Sequence, residues 1–132
     1  TFCEVVIFIK EFNVAKKVLI VDDENTVRSL LKIVLGKAGF EMDFAEDGLQ
    51  AMEKVKSFDP DVIILDTNMP HKSGIEVCSE VKAVNPARPK IIFHTGSLEE
   101  YKAKAEAAGA DATFAKTGMG GMGKLVELIQ TM

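Results

Sequence analysis

With 132 residues, of which 47% are hydrophobic and 27% charged, the chain is long enough for one globular domain with its own core and too apolar to be disordered. Its net charge of -4 excludes the basic footprint of a nucleic-acid-binding domain, and no apolar run is long enough to cross a membrane. Because the two cysteines cannot form a disulfide framework, we expect a protein of the reducing cytoplasm.

The first thirteen residues differ in pattern from the rest of the chain. The segment from Val5 to Ile9 has the composition of a strand, but nothing downstream requires it to complete a domain. We therefore divide the chain into an apolar extension, residues 1–13, and one domain, residues 14–132. The extension is either an accidental upstream segment or an interaction arm. An arm of this kind would favour a homodimer, because soluble monomers avoid exposed apolar strands.

From residue 17 onward, aliphatic segments alternate with segments of helical period. The uninterrupted aliphatic run at 62–65 indicates a strand buried on both faces of a parallel sheet, whereas the alternation at 41–45 suits a strand near the sheet edge. Strands are predicted at 17–21, 41–45, 62–66, 90–95 and 112–115. Helices are predicted after an Asn25 cap and ending at Gly39, over 48–58, after a Ser73 cap, over 98–108, and after Gly123. This order predicts an α/β fold, a doubly wound five-stranded parallel sheet of the flavodoxin-like type with strand order 2-1-3-4-5.

Reactive side chains stand where four of the predicted strands end. They are Asp22 and Asp23 after the first strand, Asp66 at the end of the third, Thr95 at the end of the fourth and Lys116 after the fifth. A single aspartate after a strand is more often a turn or cap residue, but ligands of open α/β sheets bind beyond these strand ends. Three converging carboxylates repel one another unless a cation compensates, and Mg²⁺ prefers such oxygen ligands. Together with a lysine and a hydroxyl, these groups could stabilise a phosphoryl group transferring to a carboxylate.

From about Ala15 to Met132 the chain resembles the receiver domain of two-component response regulators. The resemblance rests on Asp22-Asp23 after Lys-Val-Leu-Ile-Val, Asp66 within Asp-Thr-Asn-Met-Pro, Gly74, Thr95-Gly96, Gly109-Ala110 and Lys116. It implies that Asp66 is the phosphoacceptor and that Asp22 and Asp23 hold Mg²⁺ with Asp66 and the backbone carbonyl of Asn68. Thr95 would then be the switch hydroxyl, and Lys116 would pair with the phosphate.

The resemblance also implies partners. A sensor histidine kinase or a phosphotransfer protein would donate the phosphoryl group, and a downstream protein would bind the face formed by the fourth helix, fifth strand and fifth helix. The domain would be no enzyme beyond its own phosphotransfer and autodephosphorylation.

The sequence departs from the family pattern at three places. Thr113 stands where an aromatic residue usually changes rotamer on phosphorylation, Thr117 stands where a proline usually follows the lysine, and residues 118–123 are rich in glycine. We therefore expect Thr95 to respond to phosphate without the usual aromatic rotamer change. Output would depend on residues 117–123 and on the fourth helix.

Two alternatives remain from the residues themselves. The segment from Gly118 to Lys124 satisfies Gly-x-x-x-x-Gly-Lys between a strand and a helix, which would suit a small nucleotide-dependent enzyme. However, Leu125 replaces the hydroxyl that would hold the magnesium ion. The second alternative is a degenerate receiver that acts only as a scaffold. ATP binding without a kinase would favour the first, and failure to bind Mg²⁺ or accept phosphate would favour the second.

Overall fold

The computed structural model of the chain describes residues 15–116 and 121–132. The predicted extension, residues 1–13, and residues 117–120 of the glycine-rich segment lie outside the described residues. Five strands and five helices alternate along the described part of the chain. They are β1 (Lys17–Val21), α1 (Asn25–Lys37), β2 (Glu41–Ala45), α2 (Gly48–Phe58), β3 (Val62–Leu65), α3 (Gly74–Val84), β4 (Lys90–Thr95), α4 (Leu98–Ala107), β5 (Ala112–Ala115) and α5 (Met122–Thr131).

The strands form one parallel sheet in the order β2-β1-β3-β4-β5. The predicted fold class and strand order are therefore confirmed. Every residue of β3 is buried, as its uninterrupted aliphatic sequence predicted, and β2 lies at an edge. The register pairs Val21 of β1 with Leu65 of β3, so both strands end at the same level of the sheet. The residues that follow these two strands consequently stand side by side.

Two apolar layers cover the two faces of the sheet. On one face α2, α3 and α4 contribute buried residues that include Ala51, Val77 and Ala105. On the other face α1 and α5 contribute buried residues that include Leu31 and Leu125. Full burial of one such leucine contributes about 1.5–3 kcal/mol relative to exposure. These layers hold the strands rigidly and leave the strand ends free to carry polar groups.

The helix boundaries confirm one predicted cap and correct another. The Ser73 hydroxyl accepts a hydrogen bond from the Glu76 amide at 3.2 Å, so Ser73 caps α3 as predicted. The prediction that Asn25 caps α1 is wrong, because Glu24 is the N-cap residue and makes no side-chain cap bond. The reason lies upstream: the Glu24 amide donates to the Asp22 carboxylate at 2.9 Å, which fixes the turn one residue earlier.

The last helix also begins earlier than predicted. Helix α5 starts at Met122, so Gly123 and Lys124 lie in its first turn rather than in or after a loop. The Met122 side chain is 2% exposed and packs in the apolar layer beside Leu125 and Ile129. Burial of this methionine accounts for the early start despite the neighbouring glycines.

Candidate functional site

Three carboxylates converge at the ends of β1 and β3. One oxygen each from Asp22, Asp23 and Asp66 lies within 4.8 Å of the other two. Asp22 and Asp66 are buried, whereas Asp23 is exposed. Three hard oxygen ligands at this spacing, one of them open to water, fit a magnesium ion that keeps part of its hydration shell.

Backbone hydrogen bonds position the two buried acids. The Asp66 amide donates to the Val21 carbonyl at 2.9 Å, and the Asp22 amide donates to the Ala45 carbonyl at 3.1 Å. Each acid lies just past the end of its own strand, and a carbonyl of the neighbouring strand holds its amide in place. Arg28 adds a further constraint, because its Nη1 donates to the Asp22 carbonyl oxygen at 2.6 Å.

Lys116 lies between the two buried acids. Its Nζ is 2.9 Å from Asp22 Oδ2 and 3.3 Å from Asp66 Oδ1, and its amide donates to the Thr95 carbonyl at 2.9 Å. Burial alone would lower the pKa of Lys116, but the adjacent carboxylates outweigh it and the pKa is raised. The lysine therefore supplies a fixed positive charge at neutral pH.

One lysine does not fully compensate two buried acids. Burial and the negative charge of Asp22 raise the pKa of Asp66 to about 6, although Lys116 and the Thr67 amide oppose the shift. The Thr67 amide donates to Asp66 Oδ1 at 2.8 Å. The ionised form of Asp66 is therefore energetically unfavourable, and a bound cation would stabilise it.

Thr95 lies at the end of β4 and is 2% exposed. Its hydroxyl oxygen is 3.2 Å from that of Thr67, so the two hydroxyls share a hydrogen bond, and it also accepts a bond from the Ser97 amide at 3.0 Å. Thr67 is not among the site residues predicted from the sequence. A hydroxyl directly after the acid that ends a central strand is the signal that could have identified it.

The six predicted site residues are thus brought to one edge of the sheet. An open crevice of about 330 Å³ lies there, lined by Asp23, Glu24, Asp66, Thr67, Asn68, Thr95, Gly96, Ser97 and Lys116. The side chain of Asn68 accepts a hydrogen bond from the Tyr101 hydroxyl at 2.9 Å, a contact that the sequence analysis did not foresee. Thr113, by contrast, is paired with Phe93 in the sheet register and is half-buried.

The floor of the crevice requires a glycine at the start of α3. A Cβ atom at Gly74 would lie 1.9 Å from the Asp66 carbonyl oxygen, closer than any side chain could approach. The Gly74 amide donates to the Thr67 carbonyl at 3.1 Å. The lack of a side chain therefore lets α3 pack directly against the backbone that carries Asp66.

A buried histidine lies beside the site. His94 is 2% exposed, and neither ring nitrogen has a hydrogen-bond partner among residues 15–116 and 121–132. Burial and the positive charge of Lys116 lower the pKa of His94 to about 4, although Asp22 opposes the shift. The imidazole is therefore neutral at physiological pH, and its centroid lies 6.3 Å from that of Phe114.

The sequence pattern of the response regulator receiver domain matches residues 18–130. The chain belongs to this family. CheY, a chemotaxis protein of Halobacterium salinarum, is 39% identical over 102 residues, which cover 77% of this chain and 85% of that protein. The transcriptional regulatory protein PhoP of Bacillus subtilis, which acts in alkaline phosphatase synthesis, is 37% identical over 86 residues, or 65% of this chain and 35% of that protein.

A solved structure gives the same assignment. The response regulator TrrA of Thermotoga maritima, in complex with Mg²⁺ and beryllium fluoride, matches with a TM-score of 0.78 and 36% identity, covering 88% of this chain and 97% of that one. Receiver domains are signalling switches that bind Mg²⁺ at an acidic pocket and interact with kinases and downstream targets. Within the described ranges, no helix combines the length and the apolar character needed to cross a bilayer.

Proposed function

We propose that this receiver domain is a phosphorylation-controlled switch in which Asp66 accepts a phosphoryl group from a histidine kinase or a phosphotransfer protein. The observation that carries the proposal is the position of Asp66, which is buried beside a second acid, Asp22, and 3.3 Å from the Nζ of Lys116 in an open crevice. Membership in the receiver family and the 39% identity to a CheY protein support it further.

The reaction is a displacement at phosphorus. A carboxylate oxygen of Asp66 attacks the phosphorus atom, the bond from phosphorus to the donor's histidine nitrogen breaks, and its electron pair stays on that nitrogen. Mg²⁺, held by Asp22, Asp23, Asp66 and the Asn68 backbone carbonyl, would offset the negative charge of the phosphoryl oxygens. Lys116 offsets the same charge from the side of β5 and exchanges its contact with Asp66 for one with the phosphate.

Thr95 and the neighbouring helix carry the signal away from Asp66. The Thr95 hydroxyl now pairs with that of Thr67, and a phosphoryl oxygen on Asp66 would compete for it. Because Thr113 offers little area to distinguish two rotamers, the response leaves through α4 and the α4–β5–α5 face, where a downstream protein binds. We assign no enzymatic activity to the domain beyond its own phosphotransfer and autodephosphorylation.

A separate proposal concerns the extension, residues 1–13. The receiver pattern begins at residue 18, close to the proposed domain start at residue 14. We propose that the switch comprises residues 14–132, and that residues 1–13 either pack on this domain or mediate self-association. Deletion of the extension should change sedimentation behaviour or stability without changing phosphorylation. A truncated protein with unchanged sedimentation behaviour and unchanged stability would show that the extension is passive.

The test of the main proposal uses a small phosphodonor, acetyl phosphate, with intact-mass measurement. We expect the wild-type protein to gain one phosphoryl group with Mg²⁺ and none with EDTA. Asp66→Asn should abolish the gain, and Asp23→Ala should slow it because one metal ligand is lost. Asp61→Asn is the matched control, since it changes the same residue type at the other end of β3.

The contrary outcomes separate the alternatives. Phosphorylation of the Asp66→Asn protein at the wild-type rate would refute Asp66 as acceptor. Absence of both Mg²⁺ binding and phosphorylation in the wild-type protein would indicate a degenerate scaffold. Saturable ATP binding without a kinase would favour a nucleotide-dependent enzyme.

A further inference from the structure

A hydrogen bond joins α4 to the loop that follows Asp66. The Tyr101 hydroxyl, on the first turn of α4, donates to Asn68 Oδ1 at 2.9 Å. Tyr101 is the only tyrosine of the chain, which contains no tryptophan. The Nζ of Lys104 lies 5.5 Å from the centre of the Tyr101 ring.

This bond completes a ring of contacts around the crevice. The Thr67 hydroxyl pairs with the Thr95 hydroxyl at 3.2 Å, which accepts from the Ser97 amide at 3.0 Å. The Ser97 carbonyl accepts from the Tyr101 amide at 3.1 Å, and the Tyr101 hydroxyl returns to Asn68 beside Thr67. A displacement of the Thr95 hydroxyl would therefore affect the contacts of both the start of α4 and Asn68.

Asn68 has two parts with different tasks. Its backbone carbonyl is a proposed ligand of Mg²⁺, whereas its side chain is the acceptor for Tyr101. Holding the side chain fixes the loop before the ion arrives, which reduces the conformational entropy lost on binding. Reciprocity of linkage then requires that an ion at the acids also strengthens the contact with α4.

We infer that Tyr101 is a positioning residue that couples occupancy of the Asp66 site to α4. This inference rests on the proposed function and adds the residue through which the occupied site and α4 affect each other. Tyr101 supplies an aromatic link to the site from α4, whereas β5 presents only the small side chain of Thr113 at the position where the family pattern has an aromatic residue.

The first experiment measures Mg²⁺ affinity by calorimetry for the wild-type protein and for Tyr101→Phe. Loss of one exposed hydrogen bond should weaken Mg²⁺ binding about two- to fivefold. Lys104→Met is the matched control, because it removes the cation near the same ring and keeps the hydroxyl. Its exposed charge is screened by salt, and we expect an unchanged affinity.

A second measurement reads the contact itself. Since tyrosine emission comes from Tyr101 alone, Mg²⁺ and then beryllofluoride should change it in a saturable way in the wild-type protein. Asn68→Ala keeps the backbone carbonyl but removes the acceptor. Tyr101→Phe should therefore have no further effect on Mg²⁺ affinity in the Asn68→Ala background.

The outcomes distinguish this inference from the proposed function. If the wild-type protein binds Mg²⁺ and accepts phosphate, but Tyr101→Phe has the same affinity and the emission stays constant, the role of Tyr101 is refuted and the switch stands. Equal effects of Tyr101→Phe in the wild-type and Asn68→Ala backgrounds would also refute it. A wild-type protein that neither binds Mg²⁺ nor accepts phosphate would refute both.

Discussion

Two aspartates flank the same strand, β3, and their surroundings are opposite. At the amino end, the Asp61 carboxylate accepts from the Lys17 amide at 2.9 Å and from Arg88 Nη2 at 2.9 Å. Burial would raise the pKa of Asp61, but these bonds outweigh it and the pKa is lowered. At the carboxyl end, burial and Asp22 raise the pKa of Asp66 to about 6.

The same contrast holds at the two ends of the parallel strands. We call the side of the sheet where the strands begin the amino edge and the side where they end the carboxyl edge. At the amino edge, Asp111 accepts from the buried Lys82 Nζ at 2.6 Å and from the Ile91 amide at 2.8 Å. At the carboxyl edge, Lys116 is shared between two acids. The amino edge therefore satisfies its charges within the protein, whereas the carboxyl edge leaves negative charge for a cation. Such incomplete compensation of charge is more typical of functional sites than of stabilising ion pairs.

The largest effect is expected from breaking the amino edge. Lys82→Met should lower the free energy of unfolding by about 3 kcal/mol, because it leaves the partners of a buried ion pair without their cation. Those partners are Asp111 and the carbonyls of Pro86 and Pro89. Urea unfolding checks this value. Lys90→Met is the control, since Lys90 is 3.8 Å from Asp111 and about half exposed, and a loss as large from this control would contradict the account.

The second prediction concerns the packing beneath the carboxyl edge. Gly74→Ala should lower the free energy of unfolding by about 2–3 kcal/mol, because the new Cβ must displace the backbone of Asp66 or the whole of α3. It should also slow phosphorylation, since the acceptor moves. Thermal unfolding and the acetyl phosphate assay check both effects.

Gly123→Ala is the matched control for that substitution. A Cβ at Gly123, on the first turn of α5, meets no atom within 4 Å. Alanine is the better helix former, so this variant should gain up to about 1 kcal/mol. Equal destabilisation by both variants would show that the contact with Asp66 is not the cause.

The third prediction compares the two aspartates directly. In EDTA at about pH 7.5, Asp66→Asn should stabilise the protein by about 1–2 kcal/mol, because it removes a buried charge whose ionised form is disfavoured. Asp61→Asn should destabilise it by about 1 kcal/mol, because the pair with Arg88 is lost. Chemical unfolding measures the change in the free energy of unfolding for each variant. Changes of the same sign would contradict the contrast between Asp61 and Asp66.

The pH dependence of that difference follows from linkage. Asp66 has a folded-state pKa above its unfolded value of 3.8, so the folded state binds the proton more tightly. Its contribution to stability is therefore present below the unfolded pKa and is lost as pH rises through about 6. The stability gained by Asp66→Asn should therefore become smaller as the pH falls from about 7.5 to about 5.

The smallest effect concerns metal binding. Because protons compete with the cation for Asp66, apparent Mg²⁺ affinity should fall about tenfold between about pH 7.5 and about pH 5, where roughly a tenth of Asp66 is ionised. Calorimetric titration measures this fall. An affinity that does not change over this range would contradict the raised pKa.

The strands and their reactive ends could be predicted because both depend on local sequence. Uninterrupted aliphatic runs identified the buried strands, and the parallel topology then placed Asp22, Asp66 and Lys116 at one edge. The bond between Tyr101 and Asn68 could not be predicted, because it depends on where α4 lies relative to a loop 33 residues away in sequence.

The wrong cap at Asn25 has a different cause. An asparagine before a helix is a good cap by local preference, but Asp22 already binds the Glu24 amide and sets the turn. Asp22, a residue of the candidate site, thus also determines where α1 begins. The capping preference of Asn25 therefore does not decide where α1 begins, because Asp22 forms part of the preceding turn.

Chemical location of the phosphoryl group tests the role of Asp66 as phosphoacceptor. Borohydride reduces an aspartyl phosphate to homoserine, so the protein is treated with acetyl phosphate and Mg²⁺, reduced, digested and sequenced by mass spectrometry. We expect homoserine at position 66, with Asp61, Asp22 and Asp23 unchanged and no homoserine when EDTA replaces Mg²⁺. Homoserine at another aspartate, or at position 66 equally with and without Mg²⁺, would contradict this role of Asp66.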